Sequence, residues 1–177
     1  MKEVSSPRDV LLALGANLDR PLERLREAVA RLATELDEVR VSAVYRTPSE
    51  GSADQADYLN AVVRGRTSRT PREVLELAQR LEAEQGRARP YPGAPRTLDV
   101  DVLFVGDLRV DEPGLSIPHP RWASRDFVVV PLLDVAPEWL DPVTGVAVAD
   151  VARTRSWDDR RFPRVERPGA LLPLEVI

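Results

Sequence analysis

YLNAVVRGRTSRTPREVLELAQRL, residues 58–81, sets two structural periods end to end. From Tyr58 to Arg64 the pattern alternates, with Leu59, Ala61 and Val63 on one side and Tyr58, Asn60, Val62 and Arg64 on the other, as a strand requires. Thr70-Pro71-Arg72-Glu73 then has the spacing of a capping box with proline at the first helical position, and Val74, Leu77, Ala78 and Leu81 form the apolar stripe of a helix behind it. A strand followed by an amphipathic helix is therefore the middle of this fold.

Toward the N-terminus, Thr47 to Asp57 reads as a loop, and before it Val39, Val41, Ala43 and Tyr45 alternate with Arg40, Ser42, Val44 and Arg46, predicting another strand. Asp19 as N-cap and Pro21 as an early helical proline open a helix carrying Leu22, Leu25, Val29, Leu32 and Leu36. Val10 to Leu14 reads as a buried first strand ending in turn chemistry at Gly15-Ala16-Asn17. Toward the C-terminus, Gln85 to Pro95 is irregular and basic, and Thr97 to Val105 is a strand. The order β-α-β-β-α-β is the split βαβ, or ferredoxin-like, arrangement: an α/β (α+β) two-layer sandwich with two helices on one sheet face. An edge strand near Leu108 to Val110 and a third helix from Asp126 to Val135 are expected beyond it, while Arg153 to Pro168 supports no assignment. We read one domain over residues 1–177, with a core at about 9–150 and a C-terminal extension at 151–177.

The inventory narrows the chemistry. With 25 basic and 29 acidic residues the net charge is -4, which gives no general attraction to nucleic acid or anionic membranes. There is no cysteine and one histidine, so thiol catalysis and Cys/His zinc sites are excluded and carboxylates remain as metal ligands. No apolar run approaches the roughly 18 residues of a membrane span, and the start lacks the apolar region of a signal peptide. A cytoplasmic monomer without nucleic-acid or membrane partners is the expectation.

Chemistry concentrates in Arg96-Thr97-Leu98-Asp99-Val100-Asp101-Val102. On a strand, Asp99 and Asp101 share a face while Leu98, Val100 and Val102 pack behind, and two adjacent acids repel unless a cation lies between them. Magnesium favours one or two carboxylates completed by phosphate oxygens. Arg87, Arg89 and Arg96 precede this strand without an intervening acid, and guanidinium forks suit a polyphosphate. Tyr58 and Asn60 share a strand face and could stack on and hydrogen-bond a flat heterocycle. Taken singly, a tyrosine, an asparagine, Phe127 or the proline-flanked His119 reads as ordinary structure, and nothing makes His119 a general base.

Together, Tyr45-Arg46-Thr47-Pro48, Asp57-Tyr58-Leu59-Asn60, Gln85-Gly86-Arg87-Ala88-Arg89, Pro95-Arg96-Thr97-Leu98-Asp99-Val100-Asp101 and Pro118-His119 resemble the 6-hydroxymethyl-7,8-dihydropterin pyrophosphokinases. The resemblance spans about Val10 to Asp150. It implies transfer of diphosphate from ATP to the pterin hydroxymethyl group in folate biosynthesis, with AMP released. It also implies two magnesium ions on Asp99 and Asp101, with Arg87 and Arg96 joining those acids in catalysis. Arg87, Arg89, Arg96, His119 and Arg125 would contact the triphosphate, with Gln79 and Glu82 near the nucleoside. Thr47, Pro48, Tyr58, Asn60 and Phe127 would form the pterin pocket. The chain departs from the family pattern at Pro92 and Gly93, where a basic residue and a tryptophan are common, leaving Tyr91 as the nearby aromatic; Glu50 and Pro120 depart as well. The loop from Gly86 to Pro95 is expected to close over bound ligands.

Two other readings share these residues. Another magnesium-dependent nucleotidyl or phosphoryl transferase could use the paired acids, and a non-catalytic ferredoxin-like module could bind a small molecule without needing the metal.

Overall fold

A computed structural model of the chain describes residues 6–49, 56–86, 97–155 and 162–173. The elements follow in the order β1 (Arg8–Ala16), α1 (Pro21–Glu35), β2 (Asp37–Val41), β3 (Val44–Thr47), β4 (Tyr58–Thr67), α2 (Pro71–Glu84), β5 (Asp99–Val105), β6 (Val110–Glu112), β7 (Leu115–Ile117), α3 (Asp126–Val135), α4 (Val148–Arg153) and β8 (Arg164–Glu166). The main sheet runs β5-β1-β4-β3-β8, with β2 also on β4, and its paired strands are antiparallel. With β2 and β3 as two halves of one strand, this is the βαββαβ plan with β1 between β5 and β4.

Alternation assigns the two faces. Leu12 and Leu14 of β1, Leu59, Ala61 and Val63 of β4, and Val100 and Val102 of β5 pack against the stripes of α1 and α2 in the larger core. Leu11, Val62, Leu103 and Phe104 meet α3 and α4 on the opposite face. α3 covers only part of that face, and the part it leaves open holds the candidate site.

The capping box forms as expected: Thr70 Oγ1 accepts from the Glu73 amide at 3.3 Å, and Glu73 Oε2 accepts from the Thr70 amide at 2.8 Å. α1 begins differently. Its N-cap is Arg20 in the left-handed region at φ 58, while the Asp19 carboxylate accepts from Arg24 at 2.7 Å instead of capping. A local ion pair displaces the expected cap.

The strand read over Val39 to Arg46 is interrupted at Ser42. Ser42 Oγ accepts from the Val62 amide at 2.8 Å, and Asp134 accepts from the Ala43 amide at 2.9 Å, so two side chains replace ladder bonds. The interruption shifts the alternation. Val41 and Val44 both enter the α1/α2 core, and Ala43 and Tyr45 turn to the α3 side, so Val41, Ala43 and Tyr45 do not share a face.

Two further segments differ from expectation. Residues near Val110 form a separate two-stranded ribbon, β6 with β7, while the added edge of the main sheet is β8 against β3. The extension expected after residue 150 begins within α4 and returns to the sheet: Phe162 packs with Tyr45, and Leu171 enters the larger core.

Candidate active site

Three strands build the floor. Gly15 of β1 is paired with Asp99 of β5 on one side and Asn60 of β4 on the other, and one rung along, Ala13 is paired with Asp101. Directly opposed residues point to the same face, so two carboxylates and an amide rise on either side of the smallest side chains in the sheet. The turn expected at Gly15 is not there: β1 runs through Ala16, and the glycine serves close approach. A Cβ at Gly15 would lie 3.0 Å from Asn60 Oδ1.

On the β3 side, Thr47 is paired with Tyr58. Thr47 and Asn60 are buried, at 5% and 6% exposure, and Thr47 Oγ1 accepts from Asn60 Nδ2 at 2.7 Å. That bond fixes the amide orientation, leaving Oδ1 toward Gly15. Pro48 is exposed, and Tyr58 and Phe127 are partly buried.

On the β5 side, Arg125 Nη1 donates to Asp101 Oδ2 at 3.1 Å, and its guanidinium carbon lies 5.5 Å from the centre of the Phe127 ring. Arg125 thus links the acidic strand to the aromatic residue. A bulge between Leu11 and Leu12 leaves Leu103 out of register with β1, and its carbonyl accepts from the His119 amide at 2.9 Å. His119 Nε2 then stands 3.9 Å from Asp101 Oδ2. Its Nδ1 accepts from the Arg121 amide at 3.0 Å, so the neutral ring carries its proton on Nε2. Burial lowers the His119 pKa below its usual value; Arg125 and Arg121 add to this, and Asp101 opposes it. The structure favours a neutral donor here.

From α2, Gln79 is exposed. Glu82 is only 7% exposed, and its Oε1 accepts from the Val100 amide, between the two aspartates, at 2.8 Å. The structure therefore brings Thr47, Asn60, Asp99, Asp101, His119 and Arg125 around one open floor. Arg87, Arg89 and Arg96, with the Gly86 to Pro95 loop beyond Gly86, lie outside the described residues, as do Glu50, Tyr91, Pro92 and Gly93. Sequence reasoning missed Ala13 and Gly15, although small residues between apolar strand positions were a signal for them. It also missed Asn17, which is buried and donates to the Ala56 carbonyl at 3.1 Å, holding the end of the Thr47 to Asp57 loop against β1.

The donor set suits a hard cation. Asp99 and Asp101 are partly exposed on the open face, and their oxygens are the donors that magnesium takes.

Residues 11–137 match the family described as 7,8-dihydro-6-hydroxymethylpterin-pyrophosphokinase. A protein of that activity from Synechocystis, 2-amino-4-hydroxy-6-hydroxymethyldihydropteridine pyrophosphokinase, is 36% identical over 172 residues, covering 94% of this chain and 87% of the relative. One of the same name from Pseudomonas aeruginosa is 40% identical over 132 residues, covering 73% and 81%. Among solved structures, a Plasmodium falciparum HPPK-DHPS with pterin and p-hydroxybenzoate superposes with a TM-score of 0.71 at 14% identity, over 95% of this chain. The chain spans 49% of that longer protein, and the likeness supports the ferredoxin-like fold.

Proposed function

We propose how the reaction is divided among the residues of a chain that belongs to the 7,8-dihydro-6-hydroxymethylpterin-pyrophosphokinase family. The enzyme is an ATP-dependent diphosphotransferase of folate biosynthesis. The hydroxymethyl oxygen of the dihydropterin forms a bond to the β-phosphorus of ATP while the bond from that phosphorus to the α-bridging oxygen breaks, AMP leaves and the hydroxyl proton passes to solvent. Little covalent work falls to the protein in such a transfer, so positioning and charge neutralisation carry the rate.

Asp99 and Asp101 would hold magnesium, two ions on this reading, and the metal would supply neutralisation of the polyphosphate charge and Lewis-acid polarisation. Arg125, already beside Asp101, has donors to spare for a phosphate oxygen. His119 offers its Nε2 proton to the triphosphate as a neutral donor, not as a base. Arg87, Arg89 and Arg96 are assigned to the triphosphate on sequence grounds, Arg87 and Arg96 as catalytic groups, and exposed Gln79 to the nucleoside. Asn60, fixed by Thr47, reads the polar edge of the pterin, and Pro48, Tyr58 and Phe127 bound its ring, with Tyr58 and Phe127 on opposite faces.

The row Asp99-Gly15-Asn60 is the observation that supports this reading, because a carboxylate and an amide stand on one face across a glycine, as a metal site beside a heterocycle pocket would need. The chain acts as a cytoplasmic monomer with no nucleic-acid or membrane partner, and no helix among the described residues is long and apolar enough to cross a membrane. Incubation with ATP, magnesium and 6-hydroxymethyl-7,8-dihydropterin tests the assignment: AMP should form only when pterin is present. Formation of ADP instead, or AMP release indifferent to pterin, would point to another phosphoryl or nucleotidyl transferase. ATP binding that does not need magnesium would point to a non-catalytic module.

A further inference from the structure

β5 has one partner strand, β1, so alternate backbone amides along its other edge have no strand to receive them among the described residues. One of these edge groups sits between the two aspartates. The Val100 amide donates to Oε1 of Glu82 at 2.8 Å, and Glu82 belongs to the buried face of α2 alongside Leu81 and Ala78. Burial shields this bond from water and so strengthens it. Burying a carboxylate is costly unless it is hydrogen-bonded, so the bond to Val100 also anchors Glu82.

We propose that Glu82 is a positioning residue for the reaction: it pins the backbone of β5 to α2 at Val100 and so fixes the spacing and tilt of the Asp99 and Asp101 carboxylates on either side. The proposal rests on the pyrophosphokinase reading above, and it replaces the nucleoside contact that family resemblance implies for Glu82. Glu82 adds a polar tie to the apolar packing of Val100 and Val102 against α2. Without it β5 loses this tie to α2, and a shift of about 1 Å at the carboxylates is enough to cost about 100-fold in rate.

The test compares Glu82→Ala and Glu82→Gln with the wild-type chain, using amide hydrogen exchange in the free protein and steady-state kinetics. In Glu82→Ala the Val100 and Asp101 amides should exchange at least about 10-fold faster while Leu12 and Leu14 on β1 stay protected. Turnover should fall about 10- to 100-fold, the magnesium concentration for half-maximal rate should rise, and the KM for ATP and the preference for ATP over GTP should hold. Glu82→Gln keeps an acceptor oxygen in the same shape and should restore Val100 protection and bring turnover within a few-fold of wild type. A raised KM for ATP with lost discrimination against GTP, at unchanged Val100 exchange, would overturn the proposal in favour of a nucleoside contact. So would Glu82→Gln turning over as poorly as Glu82→Ala with Val100 still protected. Wild-type chain that fails to release AMP with pterin would sink the assigned reaction itself, whereas active wild type beside unaffected variants sinks only the role given to Glu82.

Discussion

The covered and the open halves of one sheet face use the same three strands and differ in side-chain size. Under α3, β1, β4 and β5 present Leu11, Val62 and Leu103, with Phe104 set edge-on to Trp122 at 5.3 Å between ring centres. A few residues along, the same strands present Ala13 and Gly15, Asn60, and the two aspartates. The first half buries apolar area; the second withholds bulk and carries polar groups on an open face. A strand can thus be core at one end and floor of the proposed site at the other.

The sharpest way to break this contrast is Asp99→Asn or Asp101→Asn. Each should lower turnover by about 1,000-fold, several kcal/mol of lost transition-state stabilisation, while thermal unfolding stays near wild type. The two should not add, because they share ions. Normal turnover at saturating magnesium would refute the metal assignment.

Phe104→Ala is the mirror experiment. It should cost about 3 to 5 kcal/mol in denaturant unfolding, yet leave turnover per folded molecule within about 2-fold. A selective loss of turnover without destabilisation would mean that the covered half takes part in the reaction.

Tyr45 tests the margin between the halves. Its hydroxyl donates to Asp134 at 2.9 Å and accepts from Arg164 at 3.1 Å, and burial, with Asp134 adding and Arg164 opposing, raises its pKa from 10.0 to about 12. The folded value lies above the unfolded one, so the associated stability is complete below about pH 10 and is lost as pH rises toward 12, roughly 2 to 3 kcal/mol in all. Tyrosinate absorbance compared with Tyr45→Phe should show this late step; a Tyr45 that ionises near 10 would remove the effect.

Asn60→Ala and Tyr58→Ala should weaken pterin binding by about 1 to 3 kcal/mol and spare ATP, as measured by equilibrium titration of each ligand. Equal loss of both ligands would indicate a folding defect. Gly15→Ala should do the same in miniature, about 1 kcal/mol on pterin, because the added methyl crowds Asn60 Oδ1.

Much of the fold was legible because period and caps act locally: the Thr70 box, the α3 limits and the alternation of β4 all came from neighbouring residues. Ser42 and Asp134 were not legible, since their bonds to Val62 and Ala43 join residues far apart in sequence. The candidate site divides similarly. The two-residue spacing of Asp99 and Asp101 announces itself, and family resemblance marked His119 and Arg125. The bulge that aims His119, the small floor residues and the Val100 bond of Glu82 are tertiary facts, readable only once β1 stands between β4 and β5.

The tail after α4 gives Phe162 to the α3 side of the sheet and Leu171 to the α1/α2 side, and the Gly169 amide donates to the Val41 carbonyl at 3.0 Å. The consequence is one of timing. On the ribosome β1 emerges early and waits, apolar on both faces, first for β4 and then for β5, and the core is sealed only after Leu171 has cleared the exit tunnel. Contacts this distant along the chain make folding slow relative to local architectures. The tail is therefore the last described segment that can close the core on both sides of the sheet.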